Sequence, residues 1–553
     1  MLLLCVLLKC PLKVTYPINK TRVVLLDSMI RTPHILSFAA RACLALSFLL
    51  TPPAGNALHA QGAKKATSAP DKGSALNKYI QGITASGPMR SALLGVMAKT
   101  ESGKTLVNYN GERKLTPASN TKLLSTGLAL NELGADYTFK TRLGYSGAVE
   151  DGTLFGDLYI IGGADPTLFS DDSIAIPQNV VLSRWLQDIR KAGINQIYGR
   201  IIGDGRFFEG AEDNPEWTYE DLGTYYGTGG NGLSFYRNVL DIQVAPGEHV
   251  GDSVKCEVTH PIVPWMRYDF NCKTGKEGTG DELYLYNTPL APVAQMRGTF
   301  AIDRRPKKEE CANEFGALTC AHYLREYLEE NGITVSGIAD TDLDGRIRLD
   351  PATWESAGMA EDINDLKIIS TISSPSLFRI CRITNYRSDN FYAEYLLRIL
   401  SKEMTGSALY DSCTVARNKA LRNIGIDPDY YRVRIHDGSG LARSNAISPE
   451  FFCDYLRAMK KTKVFPSFIG TMGQPGRQKY TSRLSKEPQE LKDRIHMKSG
   501  SMGGVLCFSG YVDPSTPDGE MTMFSVMTNA YVGPGTLQST VVEEIIALIA
   551  EMN

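Results

Sequence analysis

This chain is poor in the residue patterns that bind metals and nucleic acids. Its 7 histidines and 11 cysteines, spread over 553 residues, contain no His-x-x-x-His, Cys-x-x-Cys or His-x-Glu spacing. The common zinc layouts are therefore missing, and no metal or other cofactor is expected. No excess of positive charge exists either: 59 Lys and Arg against 61 Asp and Glu give a formal charge of -2, which offers no basic field to a nucleic acid. A phosphate-binding loop is absent too. Gly103-Lys104-Thr105 has Ala98 where the first glycine of such a loop belongs, and no apolar helix follows it. What remains, 43% hydrophobic and 22% charged, is the balance of a soluble globular protein, and the length calls for about two or three domains.

Long apolar runs are scarce, and the one near the N-terminus has a specific layout. From Met29, Arg31 and Arg41 precede Ala42-Cys-Leu-Ala-Leu-Ser-Phe-Leu-Leu50, then Pro52-Pro53 and a small-residue stretch ending Leu58-His59-Ala60. That is the pattern of an export signal, too brief for a stable membrane anchor. Residues 1–60 are assigned to this signal region, with Met29 as the true start. Residues 61–75 (from QGAKKATSAPDKG) read as a polar linker.

Three short polar motifs carry the chemistry. Ser119-Asn-Thr-Lys122, in PASNTKLLSTGLALNEL, places a serine at a helix start and a lysine one turn above it on the same face. Pro117 begins the turn, and Leu123, Leu124, Leu128 and Leu130 form the apolar stripe behind it. A serine becomes a nucleophile when a base takes its proton, and a lysine serves once its pKa falls toward neutrality. Burial and a second cation, Lys498, are the expected causes of that fall. Ser388-Asp389-Asn390 precedes a long helical stretch, and Lys498-Ser499-Gly500 opens a run of strand character. Lys273-Thr274-Gly275 is a decoy for the third motif, because it precedes Ser388 and sits in the polar turn NCKTGKEGTGDE. His436 and His496 have no fitting third partner for a Ser-His-Asp triad.

The order Ser-x-x-Lys, Ser-Asp-Asn, Lys-[Ser/Thr]-Gly resembles that of the penicillin-interacting serine acyl-enzymes. His436-Asp437-Gly438-Ser439-Gly440-Leu441-Ala442-Arg443 narrows the resemblance to the class C low-molecular-mass penicillin-binding proteins, the D-alanyl-D-alanine carboxypeptidase/endopeptidase family. Gly162-Gly-Ala-Asp-Pro166, Trp217 to Gly227 and Gly232 to Asn238 resemble parts of that family's large insertion. One departure is Ser499, where the family's third motif has threonine; the hydroxyl is kept and a methyl is lost.

The resemblance implies a periplasmic peptide hydrolase acting on peptidoglycan stem peptides, with β-lactams as inhibitors. It implies catalytic roles for Ser119, Lys122, Ser388, Asn390 and Lys498. Ser388 would relay a proton to the leaving amine, and Asn390 would bond the substrate's peptide chain. Ser499, Gly500 and Ser501 would line the binding edge, with the N–H groups of Ser119 and Ser501 as oxyanion hole. Arg443 and Asp204 would hold the charged end of a diaminopimelate side chain. Asp437 and Ser439 either shape a turn or act directly. The alternatives are a serine β-lactamase, which lacks support because no Glu-x-x-Leu-Asn box lies between the second and third motifs, and an inactive wall-binding protein.

The expected fold is α/β (α+β) and multidomain. A transpeptidase-like catalytic domain is formed by residues 76–136 and 363–553, interrupted by a β-rich insertion over 137–362 with one helix, Leu318 to Asn331. A first helix is expected over Leu76 to Ile83, a hairpin at Ser91–Asn108, and a closing helix over Thr536 to Met552 packed on the domain. Of the cysteines, Cys256 with Cys272, or Cys311 with Cys320, are open as pairs, and Cys507 reads as a buried free thiol.

Overall fold

The structure is a computed structural model that describes residues 72–552 except 338, 343–345, 349–355, 360–361 and 478–479. The signal region, its start at Met29 and most of the linker lie outside the described residues. The first helix starts inside the expected linker and runs Lys72–Ala85.

The catalytic part is built on a five-stranded antiparallel sheet with the order Thr105–Tyr109, Leu93–Thr100, Thr522–Asn529, Val505–Val512, Ile495–Met502. Every residue of Val505–Val512 and Thr522–Asn529 is buried, because both faces of the sheet are covered. One face packs Leu76, Ile80, Val541, Ile545 and Ile549 of the two terminal helices. The last of these, Gly535–Met552, buries Glu543 and directs its carboxylate to the Leu484 N–H at 2.7 Å. The other face packs a helical layer that includes Lys122–Leu133, Asn390–Thr405 and Pro449–Lys460.

Between these halves the chain forms a seven-stranded mixed sheet whose strand Lys140–Tyr145 pairs with Lys367–Ser373, so the chain leaves this sheet only after Ser373. Among its described residues the insertion carries two α-helices where one was expected. Gln178–Lys191 buries Val181, Leu182, Trp185, Leu186 and Ile189 against the sheet and connects the parallel strands Leu158–Ile161 and Ile201–Asp204. The second is Gly316–Glu330. Beyond them lie two three-stranded sheets, Lys255–His260 with Val239–Ala245 and Lys307–Ala312, and Arg267–Gly275 with Ala291–Ala301 and Asp281–Thr288. Lys273 and Thr274 belong to this last sheet, a regular strand rather than a turn.

The eight described cysteines are free thiols. Those of Cys256 and Cys272 hydrogen-bond one another. Cys311 and Cys320 instead sit in separate apolar cores, which removes that pairing. Cys507 is buried in its strand, as expected, and burial pushes its thiol pKa up.

Candidate active site

Ser119 lies on a short turn, Ala118–Thr121, that runs directly into the helix Lys122–Leu133. Ala118 is held at φ 46°, a left-handed conformation that bends the chain so that Ser119 faces the edge strand Ile495–Met502. Gly500 is required at that contact. A Cβ there would stand 2.7 Å from the Pro117 carbonyl oxygen and 2.9 Å from the Ser119 nitrogen. Gly440, at φ 85°, makes the same close approach from the opposite side, where a Cβ would meet the Ala118 oxygen at 1.9 Å.

The two lysines each hold one serine. Lys122 Nζ donates to Ser119 Oγ at 2.8 Å, to Asn390 Oδ1 at 2.6 Å and to the Ser439 carbonyl at 2.8 Å. Lys498 Nζ donates to Ser388 Oγ at 2.9 Å and to the Ser499 carbonyl at 2.6 Å. Both lysines are wholly buried. For Lys122 the loss of hydration dominates and lowers its pKa to about 8, against the opposing pull of the Asp437, Asp389 and Glu394 carboxylates. The expected second cation is not among these causes; burial alone exceeds three anions. With its three hydrogens all accepted, the ammonium is satisfied, and on losing one it can accept the Ser119 proton.

Ser388 is also left-handed, at φ 61°, and Asp389 caps the following helix by accepting from the Tyr392 N–H at 2.9 Å. Asn390 uses both amide atoms, since its Nδ2 donates to the Tyr226 carbonyl at 2.7 Å. Asp437 is a turn former. Its carboxylate accepts from the N–H of Gly440 at 3.0 Å and Ala442 at 2.7 Å, from Asn445 Nδ2 at 2.7 Å and from Trp217 Nε1 at 3.1 Å. Ser439 contributes its carbonyl to Lys122, and its hydroxyl turns to Asp437 at 3.2 Å. Glu394 accepts from the N–H of Gly438 and Ser439, and burial lifts its pKa to about 7.

A cleft of about 570 Å³ opens over these groups, lined by Ser119, Ser388, Asn390, Ser499 and Ser501 and, farther out, by Arg443, Asp221 and Tyr226. Asp204 is not among its lining residues. Its carboxylate is held by Arg206 at 2.9 Å and faces a different cavity, so it does not share a pocket with Arg443. The acidic groups near Arg443 are Glu220, whose carboxylate is 3.3 Å from the guanidinium, and Asp221, buried on the cleft wall. The Arg443–Glu220 pair is exposed and therefore weak, which leaves Arg443 open to exchange for a ligand carboxylate. His496 does find an acid, Asp513 at 3.0 Å, but it is not part of the cleft lining.

Sequence reading missed Arg237. Tyr236, Arg237 and Asn238 are three consecutive left-handed residues, φ 51°, 55° and 53°. This turn brings the Arg237 guanidinium to 3.5 Å from Asp389 and 3.0 Å from Glu310 at the cleft wall. Each such residue costs on the order of 1 kcal/mol, so the surrounding contacts must enforce the turn. The segment Gly232 to Asn238 was singled out by sequence, but its charge partner was not visible there. The turn of Gly162 to Pro166 packs directly on it: a Cβ at Gly162 would meet the Gly232 oxygen at 2.2 Å.

Residues 76–551 match the D-Ala-D-Ala carboxypeptidase 3 (S13) family. The chain belongs to that family. It is 26% identical over 475 residues to the D-alanyl-D-alanine carboxypeptidase of Actinomadura sp. (strain R39), covering 84% of this chain and 82% of that protein. With D-alanyl-D-alanine carboxypeptidase DacB of Haemophilus influenzae it shares 21% identity over 81% of this chain and 87% of the relative. The crystal structure of penicillin binding protein 4 from Haemophilus influenzae has the same fold, with a TM-score of 0.70 at 20% identity over 85% of this chain and 99% of that one. The S13 fold thus carries the two lysine–serine pairs, and the insertion supplies Tyr226, Arg237 and Asp221 to the same cleft.

Proposed function

We propose that the chain is a serine-type D-Ala-D-Ala carboxypeptidase that trims peptidoglycan stem peptides through an acyl-enzyme on Ser119. The observation that carries this reading is Lys122: fully buried, its pKa lowered to about 8, and 2.8 Å from the Ser119 hydroxyl. In its neutral form Lys122 takes the hydroxyl proton as Ser119 attacks the carbonyl of the penultimate D-alanine. The N–H groups of Ser119 and Ser501 stabilise the oxyanion, each worth on the order of 3 kcal/mol. The proton returns to the leaving amine through Ser388, whose hydroxyl is oriented by Lys498. Water then hydrolyses the ester with the roles reversed. Lys498 has no exposed surface, so its charge acts from behind Ser499 and Ser501, whose hydroxyls meet the terminal carboxylate.

Arg443, with Glu220 and Asp221 beside it, suits the carboxylate and ammonium at the end of a diaminopimelate side chain. Cross-linked stems, in which the leaving amine belongs to diaminopimelate, are a second substrate of the same site. β-Lactams, strained mimics of D-Ala-D-Ala, acylate Ser119. The signal layout of residues 1–60 supports export to the periplasm. N-terminal sequencing of the exported protein checks that location, with a start near Gln61 expected.

The function is tested by mass analysis of pentapeptide monomers and cross-linked dimers after incubation with the protein and with Ser119→Ala. Loss of one alanine from the monomer, only with the unaltered serine, is the expected result. Turnover by Ser119→Ala, or a penicillin adduct on another residue, overturns the assignment.

A further inference from the structure

Next to the cleft, behind the loop whose Asp221 lines it, stands a sheet surface that no step of the reaction uses. The loop carrying Glu220 and Asp221 lies flat on the edge strand Asp281–Thr288: Gly223, at φ 88°, leaves no room for a Cβ, which would stand 2.4 Å from the Asn287 nitrogen. This seating stacks Tyr219 on Tyr286, ring centroids 5.5 Å apart and planes 22° apart. Tyr219 is 68% exposed. One step along the same strand face stands Tyr284, 53% exposed. The adjoining strand places Gln295 opposite Tyr286 and Arg297 opposite Tyr284, and the third strand completes the row with Asp269. Asp269 accepts from Arg297 at 2.6 Å and from Gln295 at 3.3 Å.

We infer that this face binds the glycan of peptidoglycan, a chain of N-acetylated amino sugars, while the attached stem peptide lies in the cleft. A sugar ring offers two kinds of surface, and this face offers the complement of both. Its C–H faces suit the electron-rich faces of tyrosine, and its hydroxyl and amide groups suit planar donors and acceptors such as Gln295, Arg297 and Asp269. The charged groups of this face are paired: Asp269 holds Arg297 at 2.6 Å, and Glu282, on the same strand face, accepts from the Tyr284 hydroxyl at 3.2 Å. Direction agrees as well. With the stem's C-terminus at Ser119 and its diaminopimelate at Arg443, its N-terminal end, which is joined to the sugar, points on toward Glu220 and then Tyr219. The inference rests on the carboxypeptidase reading for that alignment.

The test compares kcat/KM on a free stem pentapeptide with that on the same pentapeptide carried by its disaccharide, for the unaltered protein and for Tyr219→Ala/Tyr284→Ala. It is joined by a pull-down with glycan strands stripped of peptide. The unaltered protein is expected to favour the sugar-bearing stem and to bind stripped strands. The double variant is expected to lose about three- to tenfold of that preference per ring, and to lose the binding, with the free pentapeptide and penicillin acylation unaffected. Equal rates on the two stems in the unaltered protein, or a preference that survives in the variant, overturns the inference. If neither stem is cleaved, the carboxypeptidase reading fails instead, and binding of stripped strands still decides this one.

Discussion

Lys122 makes acylation depend on pH in a way that can be calculated. Lowering a lysine from 10.5 to about 8 corresponds to about 3 kcal/mol of penalty on the charged form. A base with pKa near 8 is about one-tenth neutral at about pH 7 and about nine-tenths neutral at about pH 9. Acylation by benzylpenicillin should therefore rise about tenfold across that range, with a midpoint at about 8. Stability has a sign of its own. The folded-state pKa is depressed, so between about pH 8 and pH 10.5 the unfolded chain holds a proton that the folded one has released, and stability gains as pH rises through that window. Lys122→Arg keeps the charge and removes the base, since a guanidinium does not titrate here. It should reduce acylation by about a hundred- to ten-thousandfold and abolish the rise. Stopped-flow acylation at a series of pH values, with circular dichroism to verify the fold, is the assay. A flat profile, or a midpoint near that of an ordinary histidine, refutes the assignment of Lys122 as base.

The catalytic boxes were legible because their geometry is local or because their order is telling. Ser119 and Lys122 are one helical turn apart, and helix geometry alone sets them face to face. Lys498 was preferred to Lys273 by order and by the apolar strand that follows it, and Lys498 does reach Ser388, while Lys273 stands on a remote sheet. Legibility failed where a partner lies far along the chain. Asp204 ends a buried strand, and what decides its role is the neighbouring Arg206, which claims its carboxylate. Asp221 and Glu220 were inside a segment already singled out, but only the fold of that loop over Tyr286 and Asn287 brings them to Arg443. Lys122 shows a failure of a different kind. Its low pKa was foreseen, with a second cation as partial cause, whereas the structure surrounds it with three carboxylates that burial outweighs. The missed helix Gln178–Lys191 did carry its signal, since Val181, Leu182, Trp185, Leu186 and Ile189 repeat at helical spacing.

Asp389→Asn keeps a good helix cap but removes one of the charges that raise the Lys122 pKa, so the midpoint of the acylation profile should move below about 8; an upward shift would contradict the electrostatics. Gly440→Ala, at φ 85° with the Ala118 oxygen 1.9 Å from the new Cβ, should cost roughly 2–4 kcal/mol in thermal unfolding, and an unchanged Tm would mean that the nucleophile turn yields easily. Arg443→Ala should lose roughly ten- to a thousandfold on diaminopimelate stems with much less effect on lysine stems and on penicillin acylation; a uniform loss on all three would make Arg443 a support of the Asp437–Arg443 turn. Arg237 gives the most discriminating case, because it touches the second motif without facing the reacting bond. Arg237→Met strips Asp389 of its cation while Glu310 keeps Lys308 at 3.2 Å, and the cost of about 3–5 kcal/mol typical of breaking a fully buried pair is an upper bound for this largely buried one, part of it local to the Ser388 turn. Arg237 is absent from the causes of the Lys122 shift, so the rate should fall about ten- to a hundredfold while the pH midpoint stays at about 8, and Arg237→Lys should restore part of the loss. A rate that is unchanged in a folded Arg237→Met protein would mean that the left-handed turn at Tyr236–Asn238 holds the insertion together without positioning Ser388.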